Sequence, residues 1–259
     1  MTEWVRYAMG IDSGFGMLEG DTVISCSGDM FCDHEPDGKR FSLSEVALQY
    51  PVPRTAIILG MWNNFDAVRE KQHLPKPKHP WYFIKAPSCL LKPEGLIVQP
   101  RTYHGPVIYE AELAVVIGRD AFEIAVEDAV RYIFGYTAIN DITAVKIIRE
   151  EDGYEQWCRS KSFDSFAPCG PSINTEFQPE NQSIRAIVNG EERQSYTVDE
   201  MIFSPLELVS YLSHCQTLRA GDVIACGTSL GARSMKDQDH VEVVIDGLRP
   251  LGNIFSSHG

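Results

Sequence analysis

The sequence predicts an α+β, mostly β protein built as a mixed β-sandwich or roll. Short apolar runs rich in branched and aromatic residues recur along the chain, punctuated by Gly and Pro. Only a few stretches carry the three-and-four spacing of a helix. A doubly wound parallel sheet would need strands alternating with long helical patterns, and that alternation is missing.

In chain order, residues 1–54 read as a small strand-rich unit and residues 55–259 as a larger second unit. WVRYAMGI and GFGMLEGDTVISC read as extended segments, the second folded back at Glu19-Gly20-Asp21. Ser42 to Tyr50 reads as a short helix stopped by Pro51 and Pro53, and TAIILG at 55–60 as a buried strand. Residues 66–81, charged and with three prolines, read as a short helix followed by a mobile loop. WYFIKA, GLIVQP and IYEAELAVVIG follow as strands. VEDAVRYIF reads as a helix, with Val126, Ala129, Val130, Ile133 and Phe134 on one face and Gly135 as its stop. GYTAIND is again a strand, and Asn189-Gly190 marks a type I′ hairpin. Ser204-Pro205-Leu206-Glu207 is a capping box with proline at the first helical position, opening a helix to about His214. GDVIACGT and HVEVVIDG complete a strand-rich C-terminal half.

Bulk properties narrow the function. With 44% hydrophobic and 23% charged residues the chain is composed like a folded globular protein. Its net charge of −13, from 36 acidic against 23 basic residues, argues against nucleic-acid and anionic-membrane partners. Seven cysteines, odd in number and without a C-x-x-C pair, argue against a disulfide framework and a Cys-rich zinc site. No apolar run approaches the roughly 18 residues of a membrane span, and the N-terminus lacks the apolar stretch of a signal peptide. The expectation is a cytoplasmic enzyme.

The chemistry concentrates around residue 110. On a strand, residues i and i+2 share a face, so Glu110 and Glu112 lie side by side, roughly 6–7 Å apart. The opposite face carries Tyr109, Ala111, Leu113, Val115 and Ile117 toward the core. Paired carboxylates on a half-buried strand repel unless a cation or proton lies between them, whereas an exposed pair is harmless. Asp141, at the end of GYTAIND, completes a set of three oxygen ligands or simply forms an Asx turn or helix cap. Three carboxylates without His or Cys suit a hard cation, Mg²⁺ or Mn²⁺ (Ca²⁺ in a crystal), rather than zinc.

The order of motifs goes further. E-x-E-L-A-V-V-I-G, G-Y-T-A-x-N-D, K-S-F-D-S-F-A-P-x-G-P, V-N-G-E-x-R-Q, M-I-F-S, L-x-A-G-D-V-I and G-T-x-x-G occur in succession from about residue 55 to the end. This series resembles the fumarylacetoacetate hydrolase family. The resemblance implies that family's C-terminal-domain fold, a homodimer, and a divalent metal on Glu110, Glu112 and Asp141. It also implies a small oxo-acid substrate, carrying a 2-oxo or 1,3-dicarbonyl unit that chelates the metal as an enolate develops. Lys161 matches the family's lysine beside the metal-bound oxygens. Gln194, Thr228 and Gly227, in N-G-E-x-R-Q and G-T-x-x-G, match substrate-binding positions.

Three departures bear on the reaction. Hydrolytic members carry a lid of the form N-Y-x-x-H-x-x-E, matched here by residues 63–70, in which Glu70 is kept and Ala67 stands at the histidine. His73 and His104 are the replacements the sequence offers for water activation, and each reads equally as an exposed loop histidine. After the metal Asp, many members read N-D-x-S-A-R-D; here Val145 replaces the arginine and Lys146 follows. Ser229 stands where G-T-P-x-G is common, a minor change. Without a lid histidine, isomerisation or decarboxylation of a hydroxy-dienedioate or oxo-acid comes first, with Lys161, Glu70 and His73 as catalytic candidates. Hydrolytic C–C cleavage of an acylpyruvate or fumarylacetoacetate-like diketo acid is the alternative. A non-catalytic metal-binding member is the alternative from another class.

Overall fold

The computed structural model describes residues 2–257, and the chain is mostly β, with two large sheets and one two-stranded pair, Val107–Ile108 with Thr143–Ala144, none closed into a barrel. The larger sheet has twelve strands. Its main path runs His34–Ser42, Thr22–Gly28, Asp12–Glu19, Glu3–Met9, Ala167–Asn174, Ile133–Asn140, Ala111–Ile117, Val223–Ala225, Ile58–Trp62 and Trp81–Lys85. The first fifty residues therefore extend the same sheet as the rest, through antiparallel pairing of Glu3 and Trp4 with Asn174 and Ile173. Packing of Trp4 and Phe31 against Phe134 reinforces this joint.

A second sheet of five strands includes Ser183–Val188, Glu191–Thr197, His240–Ile245 and Leu251–Ser256. It lies over the middle of the large sheet, facing Ala111–Ile117 and Ile133–Asn140. Residues of both inner faces form the core, which gives the sandwich its dry interior. Three α-helices decorate it: α1 (Asp66–Lys71), α2 (Trp157–Lys161) and α3 (Pro205–Cys215). No helix among the described residues is long and apolar enough to cross a membrane.

Local chemistry explains several elements as read from the sequence. Ser204 caps α3, with its side chain accepting from the Glu207 amide and Glu207 returning to the Ser204 backbone; Pro205 stands at the first turn. Asn189 and Gly190 both have positive φ, 52° and 80°, as the tight hairpin between Ser183–Val188 and Glu191–Thr197 requires.

Three expectations are corrected. Ser42 to Tyr50 is one 3-10 turn, Leu43–Glu45, followed by a strand, Ala47–Gln49. That strand gains more by pairing with the free edge of Glu3–Met9 than a marginal short helix would gain in isolation. Residues 126–134 are not an amphipathic α-helix. They form a 3-10 helix, Val126–Tyr132, with Val126 and Val130 exposed, and Ile133 already starts the next strand. Gly135 is no stop signal: it lies inside that strand, where an added Cβ would meet the Asn174 carbonyl oxygen at 2.5 Å. Finally, Ala111–Ile117 is buried on both faces rather than one, lying inside the large sheet with the small sheet over one of its faces.

Gly135→Ala is expected to lower unfolding free energy by about 1–3 kcal/mol through overpacking. Val130→Ser, at a position 62% exposed, is expected to change it by less than about 0.5 kcal/mol. Urea denaturation of the two variants checks both.

Candidate metal centre and its cavity

Strand register assembles the site. Antiparallel pairing sets Ala111 opposite Asn140, so the residues flanking Ala111 fall beside the one that follows Asn140. The Asn140 side chain accepts from the Glu110 amide at 3.0 Å, and the Asp141 amide donates to the Glu110 carbonyl at 2.9 Å. The result is a cluster in which one carboxylate oxygen each of Glu110, Glu112 and Asp141 lie within 4.8 Å of one another. Glu112 is 1% exposed and Asp141 fully buried; only Glu110 retains some contact with the cavity above.

Two lysines enter this cluster. Lys161, the last residue of α2, donates to Glu110 Oε2 and to Asp141 Oδ2, the latter at 2.5 Å. Lys85, at the end of Trp81–Lys85 and fully buried, donates to Asp141 Oδ1 and to the Ile142 carbonyl at 3.3 Å. Thr143 adds a hydrogen bond to Glu110 Oε2 at 2.9 Å.

The charges do not balance. Although burial opposes its ionisation, Lys161 and Lys85 hold the Asp141 carboxyl below its ordinary range. Burial likewise works against the Lys161 ammonium, but Asp141, Glu110 and Glu112 together raise its pKa. Burial pushes the Glu110 carboxyl up, with Lys161 opposing. Glu112 accepts only one neutral hydrogen bond among the contacts resolved, from the Gly227 amide at 2.7 Å. Burial, and then the Asp141 charge, push its carboxyl well above the usual range. With all three carboxylates ionised, two ammoniums leave one negative charge without a partner, an expensive arrangement that a proton on Glu112 or a bound cation relieves. Three oxygen donors and no nitrogen or sulfur suit a hard divalent ion, so the residues present fit such a group.

Gln194, Thr228 and Gly227 lie around the strand that carries Ala111 and Glu112 and are absent from the cavity wall. Gln194, 1% exposed, accepts from the Ala111 amide at 3.0 Å and donates to Thr228 Oγ1 at 2.9 Å and the Ser229 carbonyl at 3.1 Å. Thr228 and Tyr196 both donate to the Ala111 carbonyl. These side chains grip the peptide between the two glutamates, while the Gly227 amide holds Glu112 itself.

A cavity of about 1190 Å³ opens above Glu110, Thr143 and Lys161. Its wall includes His104, Trp62 and Trp157, and from the segment after α1 it takes Gln72 and Leu74. Glu70 instead faces solvent in an ion pair with Arg69, and His73 is exposed; neither reaches the wall. Asn64 is the anchored asparagine of this segment, bonded to the Phe203 amide and carbonyl and to the Cys226 carbonyl. Counted from Asn63, the lid positions are Ala67 and Glu70; counted from Asn64 they are Val68 and Lys71, so neither register supplies a histidine.

Lys85 was missed in the sequence, although a signal existed. Along Trp81–Lys85 burial alternates, with Phe83 and Lys85 inward and Tyr82 and Ile84 exposed. A lysine in phase with the buried face of a strand needs a buried counter-charge. Tyr196 carried no such signal, because its role depends on the small sheet's position over Ala111.

With Mn²⁺ titrated into EDTA-treated protein in a calorimeter, Gln194→Ala is expected to weaken binding about 10–100-fold by loosening the strand. Glu112→Gln should abolish it at the same concentrations, and Glu70→Ala should leave it unchanged. Loss of binding in Glu70→Ala would contradict this geometry.

The chain matches the model for the fumarylacetoacetate hydrolase C-terminal domain over residues 57–255, and that for the Rv2993c-like N-terminal domain over residues 3–51. It is 34% identical to the oxaloacetate tautomerase YisK of Bacillus subtilis over 226 residues, 82% of this chain and 74% of the relative. It is 35% identical to the 4-hydroxyphenylacetate degradation bifunctional isomerase/decarboxylase of Salmonella dublin, over 79% of this chain and 48% of that one. The crystal structure of 2-hydroxyhepta-2,4-diene-1,7-dioate isomerase from Mycobacterium marinum superposes with a TM-score of 0.90 at 29% identity, covering all of both chains. The chain belongs to the fumarylacetoacetate hydrolase family.

Proposed function

We propose that this protein is a divalent-cation-dependent enzyme acting on small 2-oxo acids through an enolate, with tautomerisation or decarboxylation ahead of hydrolysis. The observation that carries the reading is the unbalanced carboxylate cluster directly beneath a cavity, with Lys161 at the boundary between them. Mg²⁺ or Mn²⁺ held by Glu110, Glu112 and Asp141 would act as a Lewis acid, lowering the cost of negative charge as the enolate develops.

The chain's own groups supply the rest. The Lys161 ammonium faces the cavity side of Glu110, within reach of a substrate oxygen, and donates a hydrogen bond that strengthens as that oxygen gains charge. Lys85, fully enclosed, touches no substrate and keeps Asp141 ionised and oriented. Proton movement at carbon calls for a titratable group on the wall, and His104 is the imidazole among the lining residues. Support for tautomerisation or decarboxylation comes from the lid, where no histidine pairs with a glutamate at the cavity to activate water. Relatives named as an oxaloacetate tautomerase and as an isomerase/decarboxylase point the same way.

The protein should accelerate exchange of the C3 hydrogens of oxaloacetate in D₂O beyond the rate with buffer and cation alone, only with Mg²⁺ or Mn²⁺ present, and EDTA should remove that acceleration. Lys161→Ala is expected to lower kcat/KM about 10²–10³-fold. Acylpyruvate hydrolysis outpacing exchange and decarboxylation would contradict the proposal, as would cation-stabilised protein that turns over none of these acids.

A further inference from the structure

The cavity is large for a small acid. Its 1190 Å³ exceeds the range of about 300–1,000 Å³ common for pockets that hold drug-sized ligands. A 2-oxo acid head on the carboxylate cluster and Lys161 fills only the inner end. What the outer wall is made of therefore decides which arm the substrate carries.

One side of that wall is aromatic and aliphatic, while Gln72, Thr102, His104, Lys146, Arg149 and Glu150 make the rest polar. Starting from the site, the Lys161 ammonium lies 4.9 Å from the Phe83 ring centroid. Phe83 stacks on Trp157 at 5.9 Å and 17°, Trp157 packs against Trp62 at 4.9 Å, and Trp62 stacks on Trp81 at 5.1 Å and 18°. Trp62 and Trp157 line the cavity, joined by Leu74, Ile108, Val145 and Ile148. The Trp157 ring is pinned, because its N–H donates to Glu155 Oε2 at 2.8 Å.

The cations near this wall are mostly engaged. Arg149 donates to the other oxygen of the same Glu155 at 2.7 Å, and the lining carboxylate Glu150 is paired with Arg159 at 2.5 Å. Lys146 lines the cavity with its side chain exposed to solvent, where a charge is well screened. Its charge therefore gives an anionic arm a weaker hold than a buried cation would.

We propose that this site selects oxo acids whose second arm is flat and apolar, an aryl group stacked on Trp62 and Trp157, over those bearing a second carboxylate. This inference rests on the oxo-acid reading above and adds the chemistry of the arm. Offset stacking on a fixed indole gives a flat ring an advantage that a methyl group lacks.

Substituted oxamates test it, since they present the two adjacent oxygens of a 2-oxo acid and neither enolise nor lose a carbon fragment. N-Phenyloxamate, N-methyloxamate and N-oxalylglycine are titrated into the Mn²⁺-loaded protein by calorimetry, with tryptophan fluorescence as a second readout. N-Phenyloxamate is expected to bind at least about tenfold more tightly than either of the others and to quench the fluorescence. Trp157→Leu, which keeps a bulky apolar side chain at a partly exposed position, should erase most of that preference while leaving N-methyloxamate affinity unchanged.

Equal affinities for the phenyl and methyl compounds would overturn the aryl inference and leave the oxo-acid reading intact. So would tightest binding of N-oxalylglycine, lost on Lys146→Ala. Failure of all three to bind would overturn both. The wild-type ranking decides the question even if a tryptophan variant does not fold.

Discussion

A buried charge imbalance organises this protein. Three carboxylates share one pocket of the sandwich with two ammoniums, and the surplus falls on Glu112, whose resolved contact is a single backbone amide. Burying an unpaired charge is costly, and a proton on Glu112, which its raised pKa favours, or an arriving cation relieves it. The lysines divide the labour on Asp141, one on each carboxylate oxygen: Lys85 sealed in the core and Lys161 at the cavity floor. With a dication added, the cluster passes from one net negative charge to one net positive charge. On the proposed function, an anionic acid would then be drawn to the same place, coupling cation and substrate binding through electrostatics.

The surrounding fold holds this cluster in register. Ala111 is the hinge of the arrangement, because it separates the two glutamates and pairs with Asn140, the residue before Asp141. Its amide is taken by Gln194 and its carbonyl by Tyr196 and Thr228, side chains reaching from the small sheet and from the loop after Val223–Ala225. A slip of one residue would turn Glu110 and Glu112 to the other face of the strand. The clamp on one peptide thus protects the geometry of the whole cluster, at a distance from any substrate.

Much of this was legible in the sequence. Strand periodicity brought Glu110 and Glu112 together, capping chemistry defined α3, and Asn189-Gly190 gave the hairpin. The order of motifs pointed to the family. What escaped has physical reasons. Residues 126–134 keep a helical spacing of apolar residues, but the claim of the following strand on Ile133 and Phe134 is a tertiary effect, invisible in local pattern. Lys85 was readable as a lysine in the buried phase of a strand, yet its partner Asp141 lies 56 residues away. Gln194 and Thr228 were expected at the substrate because they match the family's motif positions in N-G-E-x-R-Q and G-T-x-x-G. Their hydrogen bonds go to Ala111 instead, a destination set by how the two sheets face each other.

The cavity joins two chemistries, a charged inner end and an outer wall that is aromatic on one side, and Lys161 belongs to both through its carboxylate partners and the Phe83 ring. The central claim is that the carboxylate cluster is a cation site. Anomalous diffraction from crystals grown with Mn²⁺ and oxalate tests it most directly. The account predicts a single strong peak within coordinating distance of Glu110, Glu112 and Asp141, with the Lys161 ammonium turned from Glu110 toward the oxalate. Mn²⁺ bound elsewhere, with the carboxylate–lysine cluster unchanged and empty of metal, would contradict it.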